Sequence, residues 1–342
     1  MKQRLLGKTP EELKEIALAA GLPAFAGKQM AQWLYVRRSS SISQMTNLSL
    51  AGREALSREW EVGREAPLQV QTSSDGTRKY LFPVGGTPAS GAIEAVLIPD
   101  QGRNTLCVSS QAGCKMGCKF CMTGRQGFHG NLSAADILNQ FFSIEEAGEV
   151  TNAVFMGMGE PLDNWDQVKR VLEVLTAPWG LAWSPKRITL STIGVLPRLK
   201  EYLEQSRCHL AVSLHNPFGE ERAALMPVQK AWPLEEVVHL VRQYDFTGQR
   251  RVSFEYTVFS GWNDTPRHAD ALLHLLQGLE CRVNLIRFHR IPDFPYGPAP
   301  QQQMEAFRDR LSRGGITATI RASRGEDILA ACGLLAGKHQ AL

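Results

Sequence analysis

Apolar positions recur at helical spacing over three short stretches at the start of the chain, alternate over the next, and then settle into a long exchange of strand-like and helix-like runs. Residues 9–21 predict the first helix: Thr9 with Glu12 makes a capping box, Pro10 suits the first turn, and Gly21 can end it. Residues 25–38 and 48–60 predict two more, with Gly63 closing the last. Between residues 68 and 110 the period is two. Leu68-Gln-Val-Gln and Lys79-Tyr-Leu-Phe flank Ser74-Asp-Gly-Thr, a hairpin signal, and Ala92-Ile-Glu-Ala-Val-Leu-Ile and Asn104-Thr-Leu-Cys-Val continue as strands. Glu94 alternates with apolar neighbours there, the pattern of a carboxylate on a solvent face.

From residue 133 onward the period changes again. Helices are predicted over 133–147, 164–175, 195–203, 234–244 and 266–279, and strands over 152–156, 187–190, 209–212, 252–258, 283–288 and 317–321. Such alternation implies parallel strands with crossover helices. About six repeats imply an α/β fold, a partial or full (β/α) barrel of TIM type, with its site at the C-terminal strand ends. Gly157 to Pro161, Ser191-Thr192, Ser213 to His215 and Phe288-His289 all follow apolar strands directly, so a barrel would bring them together. The Pro-rich residues 291–300 read as a loop over the barrel mouth and a substrate contact. The expected division is a helical unit over 1–66, a β-hairpin extension over 67–106, and a barrel with its C-terminal segment over 107–342.

Chemistry enters with the cysteines. Four of the seven fall within residues 107–128, and Cys114, Cys118 and Cys121 are spaced C-x3-C-x2-C among Gly113, Lys115, Gly117 and Lys119, which is loop composition. A structural zinc site normally closes with four ligands, often as distant C-x2-C pairs, and no second pair exists here. Three soft thiolates instead suit a four-iron cluster with one iron left open. Cys208 and Cys281, beside apolar strand-like runs, read as small core hydrophobes, and on sequence alone Cys332 reads as a buried helix cysteine. The turn Gly157-Met-Gly-Glu-Pro161 offers two glycines for close backbone approach to a ligand and the Glu160 carboxylate for an ammonium group. A G-x-G-x-x-G turn opening a Rossmann unit is absent, so a Rossmann fold is not supported.

Composition narrows the class. With 342 residues and 43% hydrophobic content the chain can bury a sizeable core. The first residues lack the apolar run of a signal peptide, no stretch is long enough to span a bilayer, and an odd count of cysteines argues against a secreted disulfide framework, so the expected compartment is the cytoplasm. The net charge of +4, from 38 basic against 34 acidic residues, is too mild to imply nucleic acid by itself. Local basic groups at Arg37-Arg38, Arg78-Lys79, Lys115 with Lys119 and Arg125, Arg250-Arg251, Arg287 with Arg290, and Arg321 with Arg324 are the candidates for phosphate contact.

The C-x3-C-x2-C loop resembles that of radical S-adenosylmethionine (SAM) enzymes. Cys107-Val-Ser-Ser-Gln, Gly157-Met-Gly-Glu-Pro161, Ser191-Thr-Ile-Gly194, Ser213-Leu-His215, Val283-Asn-Leu-Ile286 and Ala330-Ala-Cys-Gly-Leu-Leu-Ala-Gly337 together resemble the RlmN/Cfr family of adenosine methyltransferases, in order along most of the chain. The resemblance implies a radical SAM partial (β/α)6 barrel with a helical N-terminal domain that helps engage RNA through Lys28, Arg37 and Arg38. It implies a [4Fe-4S] cluster on Cys114, Cys118 and Cys121, and two SAM molecules per turnover, bound by Gly159, Glu160, Ser191, Ser213, Leu214 and His215. His289 stands where the family has asparagine, which leaves that SAM contact in question. By the same resemblance Cys332 accepts a methyl group from one SAM; the 5′-deoxyadenosyl radical cut from a second removes hydrogen from the S-methyl group, and the carbon radical adds to an adenine carbon. Glu94 would then take the ring proton, and Cys107 would release the product through a transient disulfide with Cys332, so the two thiols should face each other.

The implied substrates are adenosine 2503 of 23S ribosomal RNA, methylated at C2, and adenosine 37 of some tRNAs. Flavodoxin or ferredoxin would donate electrons to a monomeric protein. The rival is the C8 chemistry of the Cfr branch, associated with antibiotic resistance: Ser191-Thr-Ile-Gly194 and Asn284-Leu-Ile-Arg287 resemble that branch, while Arg321-Ala-Ser-Arg-Gly-Glu-Asp327 and the N-terminal helices resemble the C2 branch. Two further readings are a zinc-stapled RNA-binding module without catalysis and a radical SAM enzyme with a small-molecule substrate; the second leaves Cys332 without a purpose.

Overall fold

The computed structural model describes residues 2–85, 87–248 and 250–336, so Gly337 at the end of the last motif lies outside the described residues. Ten strands form one sheet: β1 Gln69–Thr72, β2 Arg78–Val84, β3 Thr87–Asp100, β4 Arg103–Cys107, β5 Asn152–Phe155, β6 Ile188–Thr192, β7 His209–Ser213, β8 Val252–Val258, β9 Arg282–Arg287 and β10 Thr317–Ile320. Their spatial order is their chain order. β1 to β4 run antiparallel, while β4 to β10 are seven parallel neighbours joined by six helical crossovers. The crossover helices are Ala134–Phe142, Trp165–Thr176, Leu196–Gln205, Leu234–Val241, Pro266–Leu275 and Gln301–Arg313. This is the expected partial (β/α)6 barrel plus one closing strand. β4, which sequence alone ranks with the hairpins, pairs antiparallel with β3 on one side and parallel with β5 on the other. A period of two shows that a segment is a strand and says nothing about the direction of its neighbours.

The N-terminal helices fall within the expected stretches. Thr9 caps Pro10–Ala19 with the full capping box to Glu12, and Ser49 caps Leu50–Glu59. The middle helix is shorter than expected: Ala26–Ala31 passes into a π-helical turn at Gln32–Val36. A two-stranded ribbon, Gln3–Arg4 with Trp60–Glu61, joins the two ends of this unit. Arg4 fastens it to the first crossover helix by donating to Asp136 at 2.6 Å, and the buried Tyr35 hydroxyl donates to the Lys8 carbonyl at 2.6 Å. Among the described residues no helix is long and apolar enough to cross a membrane.

Strand alternation decides what the barrel encloses. On β8, Val252, Phe254, Tyr256 and Val258 are buried beneath the helices, with Tyr256 stacked on Phe307 at 5.3 Å. Ser253, Glu255 and Thr257 therefore face the lumen. Because β1 and β10 do not pair, the barrel stays open on one side. Residues 321–336 run across that gap as a strap. The Ser73 hydroxyl and the Ser74 N–H donate to Asp327, and the Gly325 N–H donates to Asp75, which holds the strap to the β1–β2 hairpin.

The turn after β5 is seated on the segment after β4. The Gly157 N–H donates to the Val108 carbonyl at 3.1 Å, the Ser110 N–H to the Met158 carbonyl at 2.8 Å, and the Glu160 N–H to Gln111 Oε1 at 2.9 Å. A Cβ on Gly157 would lie 2.7 Å from the Val108 carbonyl carbon and oxygen, and one on Gly159, at φ +98°, would lie 2.5 Å from Gln111 Cβ. These glycines allow a close approach to the protein's own chain. Gly157→Ala should therefore lower the unfolding free energy by about 1–3 kcal/mol, measured by urea denaturation.

Candidate active site

The three cysteines of the C-x3-C-x2-C run lie on a loop bracketed by short paired strands, Gln111–Gly113 and Phe128–Asn131. Gly113 is at φ +73°, and a Cβ there would lie 2.0 Å from the Gly127 carbonyl oxygen, so only glycine lets the bracket close. The loop is tied down by its backbone. The Cys114 N–H donates to Gly127 O at 2.9 Å, the Lys119 N–H to Leu225 O at 3.0 Å, and the Cys121 N–H to Cys118 O at 3.2 Å. Burial pushes the Cys114 thiol up to about 12 and the Cys118 and Cys121 thiols upward as well, and the neighbouring thiols add to the effect.

Three thiols held on one loop, each resisting ionisation through burial and through the others, suit a bound cationic body that supplies the missing positive charge. Among the described residues no three His, Cys, Asp or Glu side chains converge on a position for a single metal ion. The loop offers three thiolates where a structural zinc site closes with four ligands, so the donor set fits a multi-iron cluster better than one zinc.

Around this loop stand the expected SAM residues. Glu160 is buried, with Oε1 accepting the Leu162 N–H at 3.0 Å and Oε2 the Ile193 N–H at 3.0 Å. Burial pushes its carboxyl up to about 7 despite hydrogen bonds that pull the other way, and among the described residues no cation pairs with it. A buried carboxylate lacking a counter-ion suits the ammonium of SAM. Ser191 and Ser213 sit near the ends of β6 and β7, and Leu214 and His215 follow at once. His215 holds φ +56°, rare for a side chain of its size. Its Nδ1 accepts the Thr257 N–H at 2.9 Å, leaving the ring proton on Nε2, and burial pushes it down to about 3, so the ring is neutral. Phe120 of the cysteine loop packs edge-on against it at 4.8 Å.

Arg222, which the sequence reading passed over, organises this corner. It is fully buried and donates to the Leu214 carbonyl at 3.0 Å, the Ser213 carbonyl at 2.9 Å and the Ile193 carbonyl at 3.3 Å. One guanidinium thereby fixes two of the expected SAM segments.

The remaining thiols and their neighbours meet across the lumen. Cys107, Cys121, Met156 and Cys332 line one cavity of about 520 Å³. Cys332 is exposed to it and Cys107 is buried in its wall, where burial and then the neighbouring Cys332 push the Cys107 thiol up to about 12. The Cys332 turn is held because the Met122 N–H donates to Gly333 O at 2.8 Å and the Thr123 hydroxyl to Leu335 O at 2.7 Å. His289 lines the same cavity and bonds the strap, through Nε2 to Ser323 and through Nδ1 to Glu326 at 3.2 Å.

Glu94 is not on a solvent face, contrary to the simple strand reading. It is 3% exposed, pairs with Lys79 at 3.1 Å, and accepts the Ala336 N–H at 2.6 Å. It lies beneath the strap and outside the cavity wall. Alternation predicted one exposed face, and the strap covers that face. A second network went unnoticed: Glu255 accepts from Ser253 at 2.9 Å, from Asn284 at 2.8 Å and from Arg321 at 3.4 Å, and Arg321 also reaches the Met156 sulfur at 3.4 Å.

Several basic groups turn out to be engaged by partners within the protein. Lys79 and Arg321 are paired as described, Arg78 pairs with Glu145 and Glu146, Lys115 with Asp163, and the buried Arg250 donates to backbone carbonyls. The Pro-rich loop packs Phe294 and Tyr296 against Phe259, and its Asp293 lies 3.7 Å from Arg125, so it supports the cysteine loop from outside.

Known proteins share this whole arrangement. Residues 108–273 match the radical SAM superfamily, and residues 3–62 match the ribosomal RNA large subunit methyltransferase N-terminal domain. The chain is 59% identical over 331 residues to a probable dual-specificity RNA methyltransferase RlmN of Porphyromonas gingivalis strain W83, covering 97% of this chain and 96% of that protein. It is 40% identical over 332 residues to the dual-specificity RNA methyltransferase RlmN of Syntrophus aciditrophicus, covering 96% and 94%. A crystal structure of a radical SAM methyltransferase from Sphaerobacter thermophilus superposes with a TM-score of 0.92 at 36% identity, covering 98% of this chain and all of that one. With likeness of this degree running through the helices, the cysteine loop and the strap alike, the chain belongs to the RlmN family of radical SAM methyltransferases.

Proposed function

We propose that this protein methylates C2 of an adenosine in 23S ribosomal RNA, adenosine 2503, and adenosine 37 of some tRNAs. The observation that carries the reading is the convergence of Cys332, Cys107 and Cys121 on one cavity beside the cysteine loop. An ordinary methyl donor site needs no thiol pair. When bound at Cys114, Cys118 and Cys121, a reduced [4Fe-4S] cluster supplies the electron that cleaves SAM.

The chain's own residues do the rest. Glu160 orients the SAM amino group, while Ser191, Ser213 and the neutral His215 line the ligand between strand ends that Arg222 holds. His289 is engaged with the strap, so its role is to position the Cys332 segment. Cys332 accepts a methyl group on sulfur and presents it to the adenine. Glu94 takes the proton from the ring carbon, with Lys79 holding its carboxylate; because Ala336 covers Glu94, the strap shifts to expose it. Cys107 then bonds to the Cys332 sulfur, releasing methyladenosine and leaving a disulfide that a reductant reopens.

Residues 1–66 form the RNA-engaging accessory domain, 67–106 the hairpin extension, and 107–342 the barrel with its strap. The protein works as a cytoplasmic monomer fed by flavodoxin or ferredoxin. The C2 branch is favoured over C8 by the match of residues 3–62 and by relatives named as dual-specificity RlmN enzymes.

Anaerobically reconstituted protein, given SAM, a reductant and a ribosomal RNA fragment, should yield 2-methyladenosine in nucleoside mass spectrometry; 8-methyladenosine would move it to the other branch, and no methylated adenosine despite SAM cleavage would reject the substrate. A second expectation concerns pH. A Glu160 carboxyl at about 7 in the SAM-free site is largely protonated below that value, and the SAM α-amino group loses its proton near 8. SAM affinity should therefore climb through pH 6–7, peak between about 7 and 8, and fall above. In equilibrium dialysis Glu160→Gln should bind more weakly and lose the acid limb.

A further inference from the structure

The lumen is graded along its length. On each parallel strand the lumen-facing positions alternate, and the first of them include a cluster at the N-terminal mouth: Arg103 at the start of β4, Arg187 before β6, His209 at the start of β7, Arg251 before β8 and Arg282 at the start of β9, with Lys186 beside them and the uncharged Asn152 on β5. The middle positions are uncharged, including Thr105, Val154, Thr189 and Ala211. The C-terminal layer holds Cys107, Met156, Ser191, Ser213 and Glu255. The same cavity that exposes Cys332 runs down to Arg103, Lys186, Arg187, His209 and Arg251.

These mouth cations differ from the ion-paired basic groups elsewhere in the fold. Arg103, Lys186, Arg187, Arg251 and Arg282 are all exposed, and among the described residues none has an ion-pair partner. Elsewhere Arg4, Arg78, Lys79, Lys115, Arg170 and Arg321 are each paired with a carboxylate. The only carboxylate in the cavity wall among the described residues, Asp100, is paired with Arg324 at 3.4 Å. The concentrated charge also acts on its surroundings. Burial first, then Arg251, Lys186, Arg250 and Arg282, push the His209 imidazole downward, so it stays neutral.

Resting on the RNA-methylation reading, we infer that the RNA strand lies across the N-terminal mouth of the barrel, opposite the cysteine loop, with its phosphates on Arg103, Lys186, Arg187, Arg251 and Arg282, and that the target adenine is fed up the lumen to Cys332. An unpaired cation cluster at a concave mouth is an electrostatic site for a polyanion. The uncharged middle layer admits a base without a charge to desolvate. From Arg103 to Cys107 the strand climbs four residues, roughly 13 Å, a depth suited to one nucleotide turned out of its strand. The cofactor end and the substrate end of the lumen are thereby separate.

The test is binding of a single-stranded RNA fragment containing the target adenosine, followed by fluorescence anisotropy at several salt concentrations. One variant carries Lys186→Ala, Arg187→Ala and Arg251→Ala at the mouth. The other carries Lys169→Ala, Lys230→Ala and Arg313→Ala, which removes the same charge from exposed positions on the outer helical layer. Thermal melting confirms that both fold. The mouth variant should bind at least tenfold more weakly at low salt, and its slope of log affinity against log salt should be shallower by about 2, as expected for three lost phosphate contacts at about 0.7 each. The outer variant should keep the wild-type slope.

Equal losses in the two variants, or an unchanged slope at the mouth, would overturn the inference. The assay needs no turnover, so its failure is separable from a failure to find methylated adenosine: wild-type product formed alongside an unaffected mouth variant would reject this path and leave the reaction standing.

Discussion

An open barrel must be closed by something, and that constraint organises the molecule. Seven parallel strands leave β10 unpaired on its outer side, facing a gap. The strap fills it through contacts that include Ser73, Ser74 and Asp75 of the hairpin, Glu94 and Asp100 on β3, Met122 and Thr123 of the cysteine loop, and Glu255 and His289 at the lumen. The individual hydrogen bonds are worth about 1 kcal/mol net, and about 1.5–3 kcal/mol where the acceptor is a carboxylate. Together they set the one exposed thiol of the strap against the buried Cys107. A strap held by a few polar contacts can also be moved, as the proposed removal of a proton by Glu94 from beneath it would require.

The second organising fact is the sorting of charge along the lumen. Carboxylate and thiol chemistry gathers at the C-terminal ends, where Glu160 is buried with no counter-ion among the described residues and Glu255 collects Ser253, Asn284 and Arg321. Of the cations lining the cavity, Arg103, Lys186, Arg187 and Arg251 gather at the other end, and among the described residues none of these four has an ion-pair partner. In a closed TIM barrel the lumen is a packed core. Here it is a cavity with two chemically different ends, consistent with an enzyme that handles a cationic cofactor and a polyanionic substrate together.

Much of this was legible in the sequence because strand–helix alternation and the C-x3-C-x2-C spacing are local signals. The barrel, its repeat number and the strand-end motifs could be read directly. Features fixed by tertiary partners were not. Glu94 looks solvent-facing until the strap covers it, and nothing in residues 157–161 shows that their glycines seat the turn on residues 108–111. Arg222 sits in Glu220-Glu221-Arg222, indistinguishable from an exposed helical turn, yet it is fully buried. Glu255 did carry a signal: Ser253, Glu255 and Thr257 share one face of an otherwise apolar strand, a pattern that belongs to a polar lumen.

The account rests on Cys332 carrying the methyl carbon to the adenine and Cys107 releasing it, and the most direct measurement is of the intermediate between them. Cys107→Ala protein, incubated anaerobically with SAM, a reductant and the RNA fragment, then digested and analysed by mass spectrometry, should accumulate a covalent methylene link between Cys332 and adenosine, with methylated nucleoside nearly absent. Free methyladenosine formed at the wild-type rate, with no nucleotide attached to Cys332, would contradict the thiol-pair mechanism.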